Sequence, residues 1–572
     1  MYIGILALAV LAFGTAYRFY AGWIARHLDV DDTRAVPSHT HYDGVDYVPT
    51  RPLILFGHHF SSIAGAGPIV GPVIAAMAFG WMPALAWILL GAIFVGGVHD
   101  FTSLLASVRH GSRSIAEISR RHLSWAAYRA FLLFILLTMI YVIIVFLDLT
   151  SSTFAPIAKV GPDLPDAARL SVREGGAVAT ASVLYMLLAV LFGLAHYRAG
   201  VRVEPLTLVF VPLVFAAVLS GLRWPLTADL VPEVFGAQKH FWNVALLIYC
   251  WAASVLPVWL LLQPRDYLAS FLLYGCLLGG VVGVLGASVR GMATVSWPGV
   301  RPLFNHDAGL GFVFPALFVT IACGAVSGFH SIVASGTTAK QLDRESSAQP
   351  VGYGSMLVEG VLAVLAVMTV MLLKDRTDAT PVQVFAGGLG RLLNAVGLPP
   401  EAARVFGMMA VSTFLLTTLD TCTRLARFLF EELTQWRGTT PRRITASLVV
   451  LVIPAFMVFR ELPGPNGVMM PAWKVIWPAF GASNQLLAAL ALVVVFAWLR
   501  SQRRRAAFVA IPMSFMVVTT TTALLQLSWR HLIGGGSRFV GTLSLTILVL
   551  ALWVIVEMLW RTWRAHPEPE PR

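Results

Sequence analysis

Residues 56–72 read Phe56-Gly57-His58-His59-Phe60-Ser61-Ser62-Ile63-Ala64-Gly65-Ala66-Gly67-Pro68-Ile69-Val70-Gly71-Pro72. They lie in an apolar segment, residues 54–79, that is long enough to cross a lipid bilayer as a helix. Pro68 removes a backbone N–H and clashes with the preceding turn, and Gly65 and Gly67 weaken the helix further. In lipid, non-helical backbone is tolerated only where protein buries it or where it lines a cavity. We therefore predict a helix that is broken at a binding site; the alternative is a proline-kinked helix packed closely through small residues.

The composition of the whole chain places this segment in a membrane. Of 572 residues, 57% are apolar and only 12% are charged, against about 25% charged residues in a typical soluble protein. The mean hydropathy is +0.76. We predict an all-α polytopic membrane protein with about 15 spanning helices and with loops at 25–53, 151–175 and 374–402. The candidate spans are 3–24, 54–79, 82–108, 126–150, 176–197, 204–222, 241–262, 267–289, 311–335, 353–373, 403–430, 444–460, 472–499, 507–527 and 539–560.

The net charge of +12 comes mainly from arginines in short loops. A nucleic-acid surface would need an ordered polar domain to present them, so we expect no nucleic-acid partner. Loops after odd-numbered spans hold more Lys and Arg than the other loops, which predicts an outside N-terminus and a cytoplasmic C-terminus. The four cysteines all fall inside apolar segments without a Cys-x-x-Cys spacing, and we expect neither a disulfide nor a metal site.

A second, weaker break is predicted in the seventh span, at residues 251–257 (Trp-Ala-Ala-Ser-Val-Leu-Pro). Breaks in the first helices of two inverted repeats are typical of many secondary transporters. We therefore predict two five-helix repeats, 54–222 and 240–433, with Ser254 and Pro257 beside the substrate. The remaining units are an N-terminal helix with a cytoplasmic loop (1–53), C-terminal helices (440–562) and a disordered tail (563–572).

Ionisable residues inside the spans are costly in lipid, so each is a candidate for function. From the predicted orientation, His58, His59, Asp100, His330 and Asp420 converge in the cytoplasmic half, below the Gly65–Pro68 break. Two further acidic residues, Asp148 and Glu557, are expected near the membrane interface, while no role is assigned to Glu359.

Two groups of these residues leave alternatives open. Ser327 and Ser331 share a helix face with His330, and their hydroxyls could hold Na⁺ or His330 could carry a proton. The alternative is that the serines bond their own helix backbone and that the histidine is a packing residue. Asp420 and Arg424 are four residues apart, and we expect them to pair with each other as a structural bridge.

Six segments between residues 43 and 490 carry a recognisable pattern: Asp43-Gly44-Val45-Asp46-Tyr47-Val48-Pro49-Thr50, Gly57–Pro72, Ser327-Gly328-Phe329-His330-Ser331, Ser335–Gln341, Leu419-Asp420-Thr421-Cys422-Thr423-Arg424 and Phe480-Gly481-Ala482-Ser483-Asn484-Gln485. Together they resemble the carbon starvation protein A family of bacterial membrane transporters. The resemblance implies an inner-membrane carrier related to the amino acid–polyamine–organocation superfamily. It also implies that the substrate is a peptide or, as in one branch of the family, pyruvate taken up with protons.

We therefore predict a secondary active transporter that imports a short peptide or a small organic acid such as pyruvate, coupled to H⁺ or Na⁺, by alternating access. The N-terminus of a half-helix offers free N–H groups and a positive dipole end to a carboxylate. The candidate substrate-binding residues are Gly65, Ala66, Gly67, Pro68, Ser254 and Pro257. The candidate coupling and proton residues are His58, His59, Asp100, Ser327, His330, Ser331 and Asp420.

Three other functions stay open at this point. In an intramembrane redox enzyme, the paired His58 and His59 with His330 would ligate haem or copper, but most other histidines lie near helix ends or in loops. A signalling scaffold would need a soluble output domain, which no segment of the sequence suggests. Only the paired helix breaks argue against a passive channel. We expect no cofactor, and a homo-oligomer stays open.

Overall fold

The computed structural model describes residues 1–43, 46–121, 123–155, 166–227, 230–257, 260–305, 310–375, 377, 379–436, 440–464 and 468–564. Among these residues the strands form two short antiparallel pairs, β1 (Phe304–Asn305) with β2 (Gly311–Phe312) and β3 (Glu461–Pro463) with β4 (Met469–Pro471). The rest of the regular structure is helical, as the apolar segments predict.

The α-helices of the described residues are, in chain order, α1 (Tyr2–Thr15), α2 (Gly22–His27), α3 (Pro37–Thr40), α4 (Pro52–Ile63), α5 (Gly67–Phe79), α6 (Trp81–Gly91), α7 (Gly97–Arg109), α8 (Ile115–Ser119), α9 (Trp125–Phe154), α10 (Asp166–Gly193), α11 (Val203–Arg223), α12 (Gln238–Val255), α13 (Leu262–Val289), α14 (Val313–Thr320), α15 (Gly328–Gly336), α16 (Ser355–Met371), α17 (Pro381–Asn394), α18 (Pro400–Thr434), α19 (Thr440–Met457), α20 (Ala472–Ser501), α21 (Ala507–Leu532) and α22 (Arg538–Arg564). Two π-helical turns, Ala16–Ala21 and Ala92–Gly96, join α1 to α2 and α6 to α7.

The sequence predicts more spans than the structure has helices that are long and apolar enough to cross a membrane. Within the described residues, eleven helical stretches are long and apolar enough to cross a membrane, and the bent pair α4–α5 is a twelfth. Three other predicted spans are present only as shorter helices, namely α12, the α14–α15 pair and α19. Neither α12 nor α19 exceeds 18 residues, a length of about 27 Å at 1.5 Å per residue. Length and composition therefore support 11 or 12 spans among the described residues, and the count of about 15 stays a prediction.

Three spans, α9, α18 and α20, are enclosed by the other helices. The most apolar part of α18 has a mean hydropathy of only 1.5, and 89% of it is buried by protein. The corresponding part of α20 is 94% buried, whereas that of α11 is 28% buried. Helix α9, whose most apolar part is 89% buried, packs on both α18 and α20. Polar groups on α18 and α20 are therefore shielded from lipid by protein, which is where ionisable groups in membranes are tolerated.

The break predicted in the second span is confirmed. Helix α4 ends at Ile63, α5 begins at Gly67, and the two halves are bent by 49°. A proline at the second position of α5 needs no helical N–H partner, so Pro68 fits a helix start and not a helix interior.

The break that contacts the α4–α5 break lies in the ninth span, whereas the sequence predicts it in the seventh span. Helix α12 does end at Val255, inside the predicted break of the seventh span. However, the ninth span, predicted as continuous over 311–335, is divided into α14 and α15, with non-helical backbone at 321–327. This second break lies against α5, as shown below. The inverted repeats and the unit boundaries 54–222 and 240–433 stay predictions.

Two predicted loops contain helix. Helix α17 occupies much of 374–402 and starts with a capping box, in which Thr380 N–H donates to Gln383 Oε1 over 2.9 Å and Gln383 N–H donates to Thr380 Oγ1 over 3.3 Å. Helix α10 begins at Asp166, inside the predicted loop 151–175. The first two residues of the predicted tail belong to α22, and its remainder, 565–572, lies outside the described residues.

Candidate transport site

The two broken helices contact each other through backbone at their breaks. A Cβ on Gly71 of α5 would collide with the carbonyl oxygen of Thr320, the last residue of α14. A Cβ on Gly67 would collide with Cys323, which lies between α14 and α15. Only glycine permits this approach, because any side chain would separate the two backbones.

The break in the second span leaves backbone donors free. Gly65 N–H donates to the carbonyl of Ile63 over 2.8 Å. The N–H groups of Ala66 and Gly67 have no hydrogen-bond partner among the described residues. They stand at the N-terminus of α5, where the helix dipole is positive, and Gly65, Ala66 and Gly67 are all buried. The predicted substrate-proximal backbone therefore presents two free donors to an anion.

Two adjacent side chains of α20 satisfy the helix ends at the second break. Gln485 Nε2 donates to the carbonyls of Phe318 over 2.8 Å and of Ile321 over 3.2 Å, at the end of α14. Asn484 Oδ1 accepts from Phe329 N–H at the start of α15, over 3.0 Å, and Asn484 Nδ2 donates to Ser327 Oγ over 3.0 Å. These contacts replace the helical hydrogen bonds that the break removes.

Four ionisable side chains meet beside α15. His330 Nδ1 donates to Asp100 Oδ2 of α7 over 2.8 Å, and His99 Nδ1 donates to Asp100 Oδ1 over 2.6 Å. On the other side of the imidazole, His330 Nε2 lies 3.3 Å from Glu359 Oε2 of α16. All four side chains are fully buried. We call His99, Asp100, His330 and Glu359 the proton cluster.

The proton cluster is under-supplied with hydrogen bonds. Neither oxygen of Glu359 has a hydrogen-bond partner, and the Nε2 atoms of His99 and His330 also have none. A buried carboxylate without donors is costly, so the cluster can lower its energy by changing its proton number. The prediction that Asp100 and His330 converge is confirmed by their hydrogen bond. His99 was missed, although it directly precedes Asp100, and Glu359 was given no role.

The two histidines of α4 face different surroundings. His59 is fully buried, its Nδ1 lies 2.8 Å from Thr338 Oγ1, and it interacts electrostatically with Asp100 and His330. His58 is half-buried and interacts electrostatically with Asp266 of α13. Of this pair, only His59 therefore lies beside the proton cluster.

Asp420 belongs to a second cluster, and its predicted pairing with Arg424 is wrong. Asp420 pairs with Arg265 of α13 and accepts from Tyr249 Oη of α12 over 2.6 Å. Arg424 instead donates to the carbonyls of Ala253 over 2.5 Å and of Leu256 over 2.6 Å, where α12 ends. The carbonyls freed at a helix end compete for an arginine more effectively than a carboxylate that already has a cation. Arg265 was missed because the predicted spans 241–262 and 267–289 leave it in a loop, whereas α13 already begins at Leu262.

The remaining predicted residues lie in ordinary polar contacts. Ser331 Oγ donates to the Gly328 carbonyl over 2.7 Å, within its own helix. Ser254 Oγ contacts Ser447 Oγ of α19 over 2.8 Å, and Pro257 follows the end of α12. Asp148 is 1% exposed, pairs with Lys239 in the first turn of α12 and accepts from Trp473 N–H at the start of α20 over 3.0 Å; its position near the membrane interface stays a prediction. Within the described residues no group of three or more His, Cys, Asp and Glu could hold a metal ion.

Glu557 lies where α22 meets the start of α9. Its Oε1 accepts from Ser124 N–H over 2.6 Å and pairs with Arg561 over 3.0 Å. The side chain is 16% exposed. It has no contact with either cluster described above.

Comparison with known proteins identifies the family. The family described as "Carbon starvation protein CstA" matches residues 2–378 and 375–523. The "Peptide transporter CstA" of Escherichia coli K12 is 31% identical over 91% of this chain and 80% of its own length. The protein of that name from Bacillus subtilis 168 is 29% identical over 100% of this chain and 98% of its own. The "Pyruvate/proton symporter BtsT" of E. coli K12 is 30% identical over 91% and 81%.

One comparison concerns solved structures. A manganese transporter of Eremococcus coleocola aligns over 89% of this chain and 94% of its own, with 12% identity and a TM-score of 0.46. That similarity is too low to bear on fold or function. The family assignment rests on the match over almost the whole chain and on the relatives at about 30% identity. The chain is a multi-pass membrane transporter that belongs to the carbon starvation protein CstA family.

Proposed function

We propose that this transporter imports a small carboxylate, pyruvate or a short peptide, together with protons, and that the proton cluster is the coupling site. The observation that carries the proposal is the fully buried His330 imidazole between two carboxylates, Asp100 and Glu359. Three titratable groups of different helices can share a varying number of protons at this point. Relatives named as a peptide transporter and as a pyruvate/proton symporter support both substrate classes and the coupling ion.

The proposed substrate position is the break at Ala66 and Gly67. Both free N–H groups point from the positive end of α5, which favours a carboxylate over a neutral or cationic group. The proton cluster is close by, because Cys323 contacts Gly67 and is joined by a short segment to α15, which carries His330. A change in proton number at His330 would therefore act on a half-helix next to the substrate, as alternating access requires.

Transport in proteoliposomes tests the coupling. A gradient of one pH unit stores about 1.4 kcal/mol per proton, enough for about tenfold accumulation of a substrate. With the outside acid, we expect the wild-type protein to accumulate pyruvate or the dipeptide Ala-Ala. Glu359→Gln, which keeps the shape and loses the titration, should equilibrate these substrates without accumulation while still exchanging them in counterflow.

Glu557→Gln is the matched control, because it removes a carboxylate of another helix and should accumulate substrate like the wild type. Accumulation by Glu359→Gln at the wild-type level would overturn the assignment of the coupling site. Uptake driven by a Na⁺ gradient and insensitive to the pH gradient would overturn the proposed ion.

We further propose a plasma-membrane location with the N-terminus outside and the C-terminus in the cytoplasm, which requires an odd number of spans, as when α12, the α14–α15 pair and α19 cross the membrane in addition to the other twelve. The support is the excess of Lys and Arg in the loops after odd-numbered spans. Under this orientation, the face at which α7 ends is cytoplasmic. Labelling of that face from one side of the membrane only, with an impermeant reagent, tests the orientation.

A further inference from the structure

Arg265 is a cation enclosed within the helix bundle. Its side chain is fully buried, and among the described residues the only other buried arginine is Arg427, at 3% exposure. Its guanidinium pairs with Asp420 and with Asp266 Oδ1, the latter over 2.6 Å, and donates to Tyr249 Oη over 2.6 Å. A charge at this depth is costly in lipid and marks a functional position.

The contacts around Arg265 leave hydrogen-bonding capacity unused. Arg265 Nε has no hydrogen-bond partner, and neither does Asp420 Oδ1. Two carboxylates therefore share one guanidinium, yet one donor of Arg265 and one acceptor of Asp420 are left without a hydrogen bond. A guanidinium binds a carboxylate best through two parallel N–H donors, and this arrangement is incomplete at Asp420.

This cluster lies beside the broken second span. A Cβ on Gly65 would collide with Thr418 Oγ1 of α18, so the break touches α18. Asp420 is two residues further along the same helix, about 3 Å by helical rise, but about 200° around the helix, so its side chain leaves a different face from that of Thr418. Helix α4 also packs on α13, where a Cβ on Gly57 would collide with Tyr274 Oη. The helices that carry Arg265 and Asp420 thus both pack on the first half of the broken span.

We propose that Arg265 binds the carboxylate group of the transported substrate, which takes the place of Asp420 on the guanidinium. The inference rests on the proposed import of a carboxylate and names the residue that recognises it. No covalent step is involved; one carboxylate exchanges for another.

The exchange follows from the cost of an unpaired buried charge. Removing one partner from a buried ion pair costs about 3–5 kcal/mol. Asp266 stays on Arg265 while an incoming carboxylate takes the place of Asp420, which keeps the Tyr249 hydroxyl as its donor. Because Asp420 is on α18 while Arg265 is on α13, the exchange releases one helix from the other. A neutral substrate could not do this. The mechanism therefore makes the carboxylate a condition for the helix movement and not only a contact.

Equilibrium binding to the purified protein, without any gradient, tests this assignment. The probes are pyruvate and Ala-Ala, each compared with its uncharged or amidated form, pyruvamide and Ala-Ala-amide. We expect saturable binding of at least one carboxylate and binding at least tenfold weaker for its amide. Asp420→Asn removes the competing charge and should tighten carboxylate binding by about tenfold or more. Arg265→Lys keeps the charge but loses the two parallel donors, and should weaken binding by a similar factor.

Arg427→Lys, at the other buried arginine, is the matched control and should bind like the wild type. Equal affinity for carboxylate and amide, unchanged affinity in both Asp420→Asn and Arg265→Lys, or no saturable binding of either carboxylate would overturn the assignment. The binding assay uses no gradient and does not depend on proton coupling. If binding gives the expected results while the proteoliposome experiment contradicts the coupling assignment, only the coupling site is refuted. Our proposal predicts tighter carboxylate binding in Asp420→Asn. A purely structural role of the Arg265–Asp420 pair predicts weaker or unchanged binding, so the experiment distinguishes the two.

Discussion

Single side chains of α20 hold the second break in place. Asn484 is 1% exposed and makes one contact to the backbone of α15 and another to Ser327. Gln485, its neighbour, serves the end of α14. Consecutive residues of one helix thus complete the two ends of another, and the non-helical segment between those ends needs no other support from side-chain amides.

The contacts of Asn484 predict the effect of removing it. Asn484→Ala leaves the Phe329 N–H and the Ser327 hydroxyl without their partner, which should destabilise the protein by about 1–3 kcal/mol. The measurement is the midpoint of thermal denaturation in detergent. Asn394→Ala, whose amide bonds only a carbonyl in an exposed turn, should change the stability by less than about 0.5 kcal/mol. Equal midpoints for the two variants would contradict this role of Asn484.

For single residues, the sequence identifies ionisable side chains inside the spans but not the partners with which they pair. Asp100 and His330 stand out as ionisable groups in apolar segments, and both reach the proton cluster. The separation of four residues suggests an Asp420–Arg424 pair, yet the partner of Asp420 is 155 positions away. Such a pairing depends on how α13 and α18 are arranged in space, and no local pattern encodes that arrangement.

Among the helices, the crossing of α5 and α14 depends on glycine. Gly71→Ala places a methyl group against the Thr320 carbonyl, which is backbone and cannot rotate away. We expect this variant to lose stability by about 1–3 kcal/mol, as overpacking does, and to lose most of its initial rate of substrate uptake in proteoliposomes. The rate should fall because the two breaks no longer meet.

The matched control is Gly387→Ala in α17. A Cβ there has nothing within 4 Å, and alanine is favoured over glycine inside a helix by about 1 kcal/mol. This variant should therefore transport normally with equal or higher stability. Normal uptake by Gly71→Ala would show that the crossing can open without loss of function.

The elements also show why one break was predicted and the other was missed. The stretch around Pro68 combines two prolines with closely spaced glycines, which is a strong helix-breaking signal. Residues 321–327 (Ile-Ala-Cys-Gly-Ala-Val-Ser) contain one glycine and no proline, and they are as apolar as a continuous helix. The break there depends on Asn484 and Gln485, which lie on another element. Helix α17 was missed for a related reason, since its three glycines suggest a loop.

In the whole molecule, ion pairs close the face at which α7 ends. Glu345 is 2% exposed and accepts from Arg109 Nε over 3.0 Å and from Arg109 Nη2 over 2.9 Å. It also pairs with Arg34 over 3.3 Å. Hydrogen bonds from the backbone N–H and the hydroxyl of Thr33 hold the pKa of the adjacent Asp31 below its usual value. Residues 28–43 and 46–50, which we call the loop cover, are thereby tied to Glu345, at the start of the span Glu345–Met371.

Glu345→Gln should loosen the loop cover, because Arg109 loses a bidentate ionic partner. The test uses Ser38→Cys, a fully buried position of the loop cover, against a background in which all four native cysteines are buried. We expect an impermeant maleimide to label Cys at 38 at least about tenfold faster in the Glu345→Gln protein, as local opening predicts. Labelling should occur only from the cytoplasmic side.

Asp46→Asn, an exposed residue of the same loop cover, should leave the labelling rate unchanged. A rate unaffected by Glu345→Gln would mean that the ion pairs do not hold the loop cover closed.

For the whole molecule, the sequence is most informative, because hydropathy alone predicts a helical bundle in the membrane. The number of spans is less well determined, because the 18 residues of α12 and of α19 are at the lower end of the lengths that cross a bilayer.

The contact between α5 and α14 has a mechanical consequence. Where helices meet through long side chains, small displacements are absorbed by changes of rotamer. At Gly71 and Thr320 backbone touches backbone, and a close-packed contact of that kind has no slack. A shift of a few tenths of an ångström in α14 should therefore be transmitted directly to α5, at whose first turn we propose the substrate position.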